Sequence, residues 1–162
     1  MPVSVDNRHS ALRVDTRALG KHLRTCLKAL GRPRASVDVS LVDDAEIAAL
    51  NAQYRNVQGP TDVLSFAFGD DDTVALPVDL LGDIVISLDT AQRQAAMVGV
   101  ADYGLWHETV FLATHGLLHL LGHDHQESAQ AELMEALERQ LMAPVTSVAV
   151  HGLDRSGHGL NR

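Results

Sequence analysis

The stretch His115-Gly116-Leu117-Leu118-His119-Leu120-Leu121-Gly122-His123-Asp124-His125 holds four of the chain's nine histidines. It closes an apolar run over 106–121 that reads as a helix stopped at Gly122. Residues four apart on a helix share a face one turn apart, so His115 and His119 can grip one metal ion. Gly122 accepts the left-handed conformation that ends a helix and turns the chain. That turn brings His125 back toward the same ion as a third ligand. Three protein nitrogens leave a fourth position for water, the layout of a catalytic rather than a closed structural zinc site.

The spacing His-x-x-x-His-x-x-Gly-x-x-His is that of the metzincin proteases, with one difference. Those enzymes carry Glu directly after the first His as general base, and here that position is Gly116. The metal site survives this change and peptide hydrolysis by the usual route loses its base. His123 flanks the turn. Glu108, two turns before His115 on the same helix face, reads either as an acceptor behind a ligand ring or as an ordinary ion-pairing residue. His9, His22, His151 and His158 have no ligand spacing.

Outward from this helix, the pattern gives one α+β domain over 1–143, a small mixed β-sheet packed against helices. Strands are predicted over 36–42, 62–68 and 81–86, with a short edge strand over 3–5. Helices are predicted over 15–31, 45–54, 89–98 and 129–142, with Asp15 or Thr16 and Asp43 or Asp44 as caps. Beyond Pro144 the apolar pattern ends, and 144–162 reads as a flexible tail. A single cysteine, Cys26, cannot form an internal disulfide, which suits a reducing cytoplasm. No window is long and apolar enough to span a membrane.

The net charge of −8 conceals an asymmetry. Residues 1–34 carry eight of the 13 Lys and Arg but two of the 21 Asp and Glu, leaving that segment at +6 and the remainder at −14. In the first helix Leu19, Leu23, Cys26, Leu27 and Leu30 share a face, while Arg13, Arg17, Lys21, Arg24 and Lys28 fall opposite. The basic stripe is either a solvated face or a surface for a polyanion such as RNA. Aromatic residues are only 4% of the chain, which leaves little for base stacking.

From about Val37 to Met142 the chain resembles the bacterial YbeY endoribonucleases, the rRNA maturation factors. The resemblance rests on Leu50-Asn51 with Tyr54-Arg55, on the 60–66 run Pro-Thr-Asp-Val-Leu-Ser-Phe, and on Leu81-Gly82-Asp83-Ile84. It rests also on the histidine stretch and on Glu132 and Met134. It implies that His115, His119 and His125 bind one Zn2+ and that Arg55 is functionally important. The implied activity is single-strand-specific, metal-dependent cleavage of RNA in 16S rRNA 3′-end maturation and ribosome quality control. The partners would be small-subunit rRNA and ribosomal proteins. The residues suit that chemistry, with water or a ribose 2′-hydroxyl as nucleophile. The planar fork of Arg55 can pair two phosphate oxygens, or it can form an ion pair with Asp62 or another carboxylate. Asp83 can orient a ligand, line the cleft or stabilise a turn, and Thr61 and Ser65 can hold the Asp62 loop. Two other readings remain: a non-catalytic zinc-containing ribosome assembly factor, and a metallohydrolase of another substrate class.

Overall fold

The computed structural model describes residues 3–68 and 79–146. Alternating apolar residues form four strands, β1 (Val3–Asn7), β2 (Ser36–Val42), β3 (Val63–Ala67) and β4 (Leu80–Ser87). They pair in the order β1–β2–β4–β3, parallel except for β3, which runs antiparallel to β4. The sheet is therefore mixed, and its two edges are β1 and β3. The edge strand expected over 3–5 is two residues longer.

Five helices cover it: α1 (Thr16–Ala29), α2 (Asp44–Arg55), α3 (Leu88–Val98), α4 (Leu105–Leu120) and α5 (Ser128–Met142). The starts of α1, α2 and α3 are fixed by short polar side chains that satisfy otherwise orphaned amides. Asp15 accepts from the Ala18 amide at 3.0 Å, Asp43 from Glu46 at 2.9 Å and Ser87 from Thr90 at 3.2 Å. Arg13 precedes the helix start, and its guanidinium is bound to the His9 carbonyl at 2.6 Å. It leaves the basic stripe for that reason.

Successive residues of β4 feed opposite faces of the sheet. Ile84 and Ile86 join the large core with α1, α3, α4 and α5, while Val85 joins Val42, Ile47 and Leu64 in a smaller one under α2. Cys26 lies in the large core, as the apolar stripe requires. The same alternation corrects the reading of Asp83 as a cleft residue. It shares the face of Val85, on the α2 side and away from α4. Burial, and then the charge of its register partner Asp38, push its carboxyl pKa up.

Val145 packs against the large core after the end of α5. The acidic run Gly69-Asp70-Asp71-Asp72 and the segment beyond 146, expected as a flexible tail, lie outside the described residues. Among the described residues no helix is long and apolar enough to cross a membrane.

Candidate metal centre

The helix α4 carries His115 and His119 one turn apart, and Gly122, at φ 96°, makes the left-handed turn that returns His125 to them. The three rings lie with centroids 4.6, 5.3 and 5.8 Å apart. One nitrogen from each falls within 4.8 Å of the others, and among the described residues this is the histidine cluster able to hold a metal. The Nε2 atoms of His115 and His119 are 3.1 Å apart. Two nitrogens bound tetrahedrally at ~2.0–2.1 Å to one zinc stand about 3.3 Å apart, so the donor set fits such an ion with small adjustment. Ligand imidazoles must be neutral. Burial, then the neighbouring His115 and His125, pushes the His119 pKa down to about 4, with Asp124 opposing.

Behind the three histidines stands Glu138 on α5. Its Oε2 meets Nδ1 of His115, and both side chains are about 5% exposed. A carboxylate on Nδ1 fixes the tautomer that leaves Nε2 for the metal and raises the basicity of the ring. Glu138 takes the place expected of Glu108, whose carboxylate instead accepts from the Tyr103 hydroxyl at 2.6 Å. Glu108 stands two helical turns, about 10 Å, before His115, too far for contact with its ring. The signal for Glu138 was present in the sequence: it is an acidic residue on the apolar row of α5, between Met134 and Leu141, and it is 4% exposed.

Gly116 has a packing role in place of a catalytic one. A Cβ there would lie 3.0 Å from both the Ile84 Cγ2 and the Ser65 Oγ, closer than side chains normally approach. Its absence lets α4 press on the sheet, and the Ser65 hydroxyl donates to the Gly116 carbonyl at 3.3 Å. Ser65 thus joins β3 to the ligand helix rather than holding the Asp62 loop. Thr61 does reach Asp62, at 3.4 Å.

The histidines open into a cleft of about 400 Å³ lined by Arg55, Ser65, Asp124 and Gln126, among others. Arg55 ends α2, and Asn51 one turn earlier donates to the Gly59 carbonyl at 3.0 Å, folding the next segment back beside the helix. That return brings β3 beneath Arg55. Its Nη2 donates to the Ser65 carbonyl at 2.6 Å and its guanidinium lies 5.2 Å over the Phe66 ring. No carboxylate pairs with it among the described residues, so the expected alternative of an ion pair with Asp62 does not form. The cleft therefore joins three metal-ready nitrogens to one uncompensated, planar cation. His123 lies beside the turn, its amide bonded to the Leu118 carbonyl, outside the three-nitrogen cluster.

Known proteins resemble this chain over most of its length. The family model described as endoribonuclease YbeY matches residues 4–146. A protein of Geobacter sulfurreducens named endoribonuclease YbeY is 41% identical over 145 residues, covering 88% of this chain and 95% of its own. A namesake from Pelotomaculum thermopropionicum is 43% identical over 148 residues with the same coverage. One from Moorella thermoacetica is 50% identical over 117 residues, 68% of this chain and 73% of its own. A solution structure from Thermotoga maritima shares the fold, with a TM-score of 0.59 at 22% identity over 88% of this chain and 91% of that one.

Proposed function

The chain belongs to the endoribonuclease YbeY family, and from that premise we propose that it is a single-strand-specific, zinc-dependent endoribonuclease of small-subunit rRNA. The roles proposed are maturation of the 16S rRNA 3′ end, rRNA processing and ribosome quality control, in the cytoplasm and in contact with ribosomal proteins. His115, His119 and His125 are the proposed ligands of one Zn2+, and Arg55 the proposed catalytic residue. A zinc ion held by these histidines supplies Lewis acidity to a phosphodiester and to a water molecule.

The chain's own residues do the rest. Glu138 holds His115 with Nε2 toward the cleft. Ser65 and Gly116 fix the distance between the ligand helix and β3. Arg55, anchored through the Ser65 carbonyl and lying over Phe66, keeps N–H groups for two oxygens of a phosphate as negative charge gathers there.

One observation carries this reading: Arg55 lies in the same cleft as the three histidines without an anionic partner among the described residues. A peptide substrate pairing along the free edge of β3 would need the Ser65 carbonyl as an acceptor, and Arg55 occupies it. Peptide hydrolysis is the weaker reading for that reason, as well as for the absence of a base at Gly116.

The test is metal analysis of the purified protein together with cleavage of single- and double-stranded RNA, with His119→Ala as control. The expected result is about one zinc per chain and cleavage confined to the single strand, both lost in the variant. Parent levels of zinc and activity in His119→Ala would remove the site assignment. A 2′,3′-cyclic phosphate on the product would identify the ribose hydroxyl as nucleophile.

A further inference from the structure

At the sheet edge opposite the histidine cleft, β1 is paired among the described residues on one side only, with β2. Helix α1 lies against it. Arg17, Lys21 and Arg24 recur at i, i+4 and i+7 on this helix and so form one stripe. Gly20 is buried beside that stripe and has no side chain. Where its Cβ would be, the nearest groups are the Arg24 guanidinium at 3.4 Å and a Val5 methyl at 3.8 Å. The missing side chain leaves a groove of about 640 Å³ between α1 and β1, with Val3, Val5 and Gly20 at its base and the three cations along it.

Two basic side chains elsewhere are held in ion pairs, Arg8 by Glu46 and Arg93 by Asp44 at 2.8 Å, while Arg55 in the histidine cleft is not. Arg17, Lys21 and Arg24 form no ion pair among the described residues. Asp15 also lines the groove and caps α1 through one carboxylate oxygen, so the lining carries three positive charges against one negative. Lys28 extends the stripe beyond the groove. In a chain of net charge −8, three cations against one carboxylate on one concave surface attract a run of negative charges where most of the surface repels it. Among the described residues no aromatic lines the groove, so they offer nothing for bases to stack on.

We propose that the α1–β1 groove is a second RNA contact, which holds the phosphate backbone of a single strand away from the histidine cleft and without reading sequence. This rests on the functional reading only in taking RNA as the substrate. Three strand spacings of about 4.8 Å separate the two sheet edges before any side chain is counted. A strand long enough to leave the cleft and pass around the molecule reaches the groove, and a trinucleotide seated in the cleft does not.

The experiment replaces Arg17, Lys21 and Arg24 together by Gln. It measures affinity for long single-stranded RNA across a salt series, with trinucleotide cleavage and circular dichroism in parallel. Each phosphate contact contributes about 0.7 to the logarithmic salt slope on a single strand, so the slope should fall by about 2. Affinity for long RNA at low salt should fall at least about tenfold, while trinucleotide cleavage and the fold stay at parent levels. An unchanged slope would overturn the groove while leaving the cleft intact. Loss of trinucleotide cleavage in a folded variant would make the stripe part of the cleft and overturn it equally. If the parent protein cleaved no RNA, the functional reading would fall first. If polyglutamate competed at the groove better than RNA, the partner would be an acidic protein and the proposal wrong.

Discussion

The two edges of the sheet hold positive charge in opposite ways. At the β3 edge the groups are tied down: Glu138 fixes His115, Ser65 fixes Gly116, and Arg55 is bound to a carbonyl and laid over an aromatic ring. At the β1 edge the three cations are free of ion pairs among the described residues, on a helix face that faces solvent. Preorganised groups cost no rearrangement when charge develops on a phosphate, which is what chemistry needs. Loosely held cations release counterions and give affinity that salt removes. The difference teaches that net charge says little about an RNA enzyme, because the −8 is a sum over the whole chain that hides a +6 segment containing α1.

The largest expected effect lies at the tied edge. Arg55→Ala should lower kcat for RNA cleavage by roughly 100- to 1000-fold with zinc content unchanged, the loss typical of one preorganised donor to a developing negative charge. Arg55→Lys should recover only part of it, because an ammonium cannot reproduce the two-pronged contact. An Arg55→Ala protein that keeps zinc and restores rRNA processing in cells would break the comparison and favour the non-catalytic assembly factor.

Next comes the residue behind the ligands. Glu138→Gln keeps the volume and an acceptor for the Nδ1 proton of His115, so it isolates the carboxylate charge. Zinc affinity measured by chelator competition should weaken about 10- to 100-fold, with activity restored by added zinc. Unchanged affinity would reduce Glu138 to a core contact.

Much of this was legible in the sequence, and the limit is physical. The bounds of β2 came out as read, and those of the helices to within two residues, because burial on one face imposes a period that a single chain displays. The histidine cluster was legible for a related reason: His115, His119 and His125 are joined by one helical turn and one glycine turn, both local. Strand order was not legible, since no periodicity says that β4 inserts between β2 and β3. The Glu138–His115 contact spans 23 residues and two helices, and only the odd acidic residue on the apolar row of α5 hinted at it. Gly116 shows a subtler gap. Its sequence meaning was the absence of a base, while its structural meaning is the close approach of α4 to Ser65 and Ile84.

The smallest effect tests whether the two edges are mechanically joined. His22 lies on α1 with the basic stripe, yet its Nε2 is 2.9 Å from the hydroxyl of Thr114, the residue before His115, and 3.3 Å from the Cys26 sulfur. Burial pushes its pKa from 6.5 down to about 4, so the ring is neutral in the fold where the unfolded chain would already bind a proton. A depressed histidine of this kind contributes stability that is complete above its unfolded value of 6.5. That contribution is lost as the pH falls from 6.5 toward 4, because the unfolded state takes up more protons in that window. His22→Gln keeps a polar contact for Thr114 and cannot titrate. Urea unfolding of the metal-free protein between those pH values should therefore show a flatter acid limb in the variant, by on the order of 2 kcal/mol at the acid end. His119 titrates in the same window and remains in both proteins, so the difference between them belongs to His22. Identical acid limbs would mean that the junction between α1 and α4 opens before either protein unfolds, and the two edges would then act as independent units.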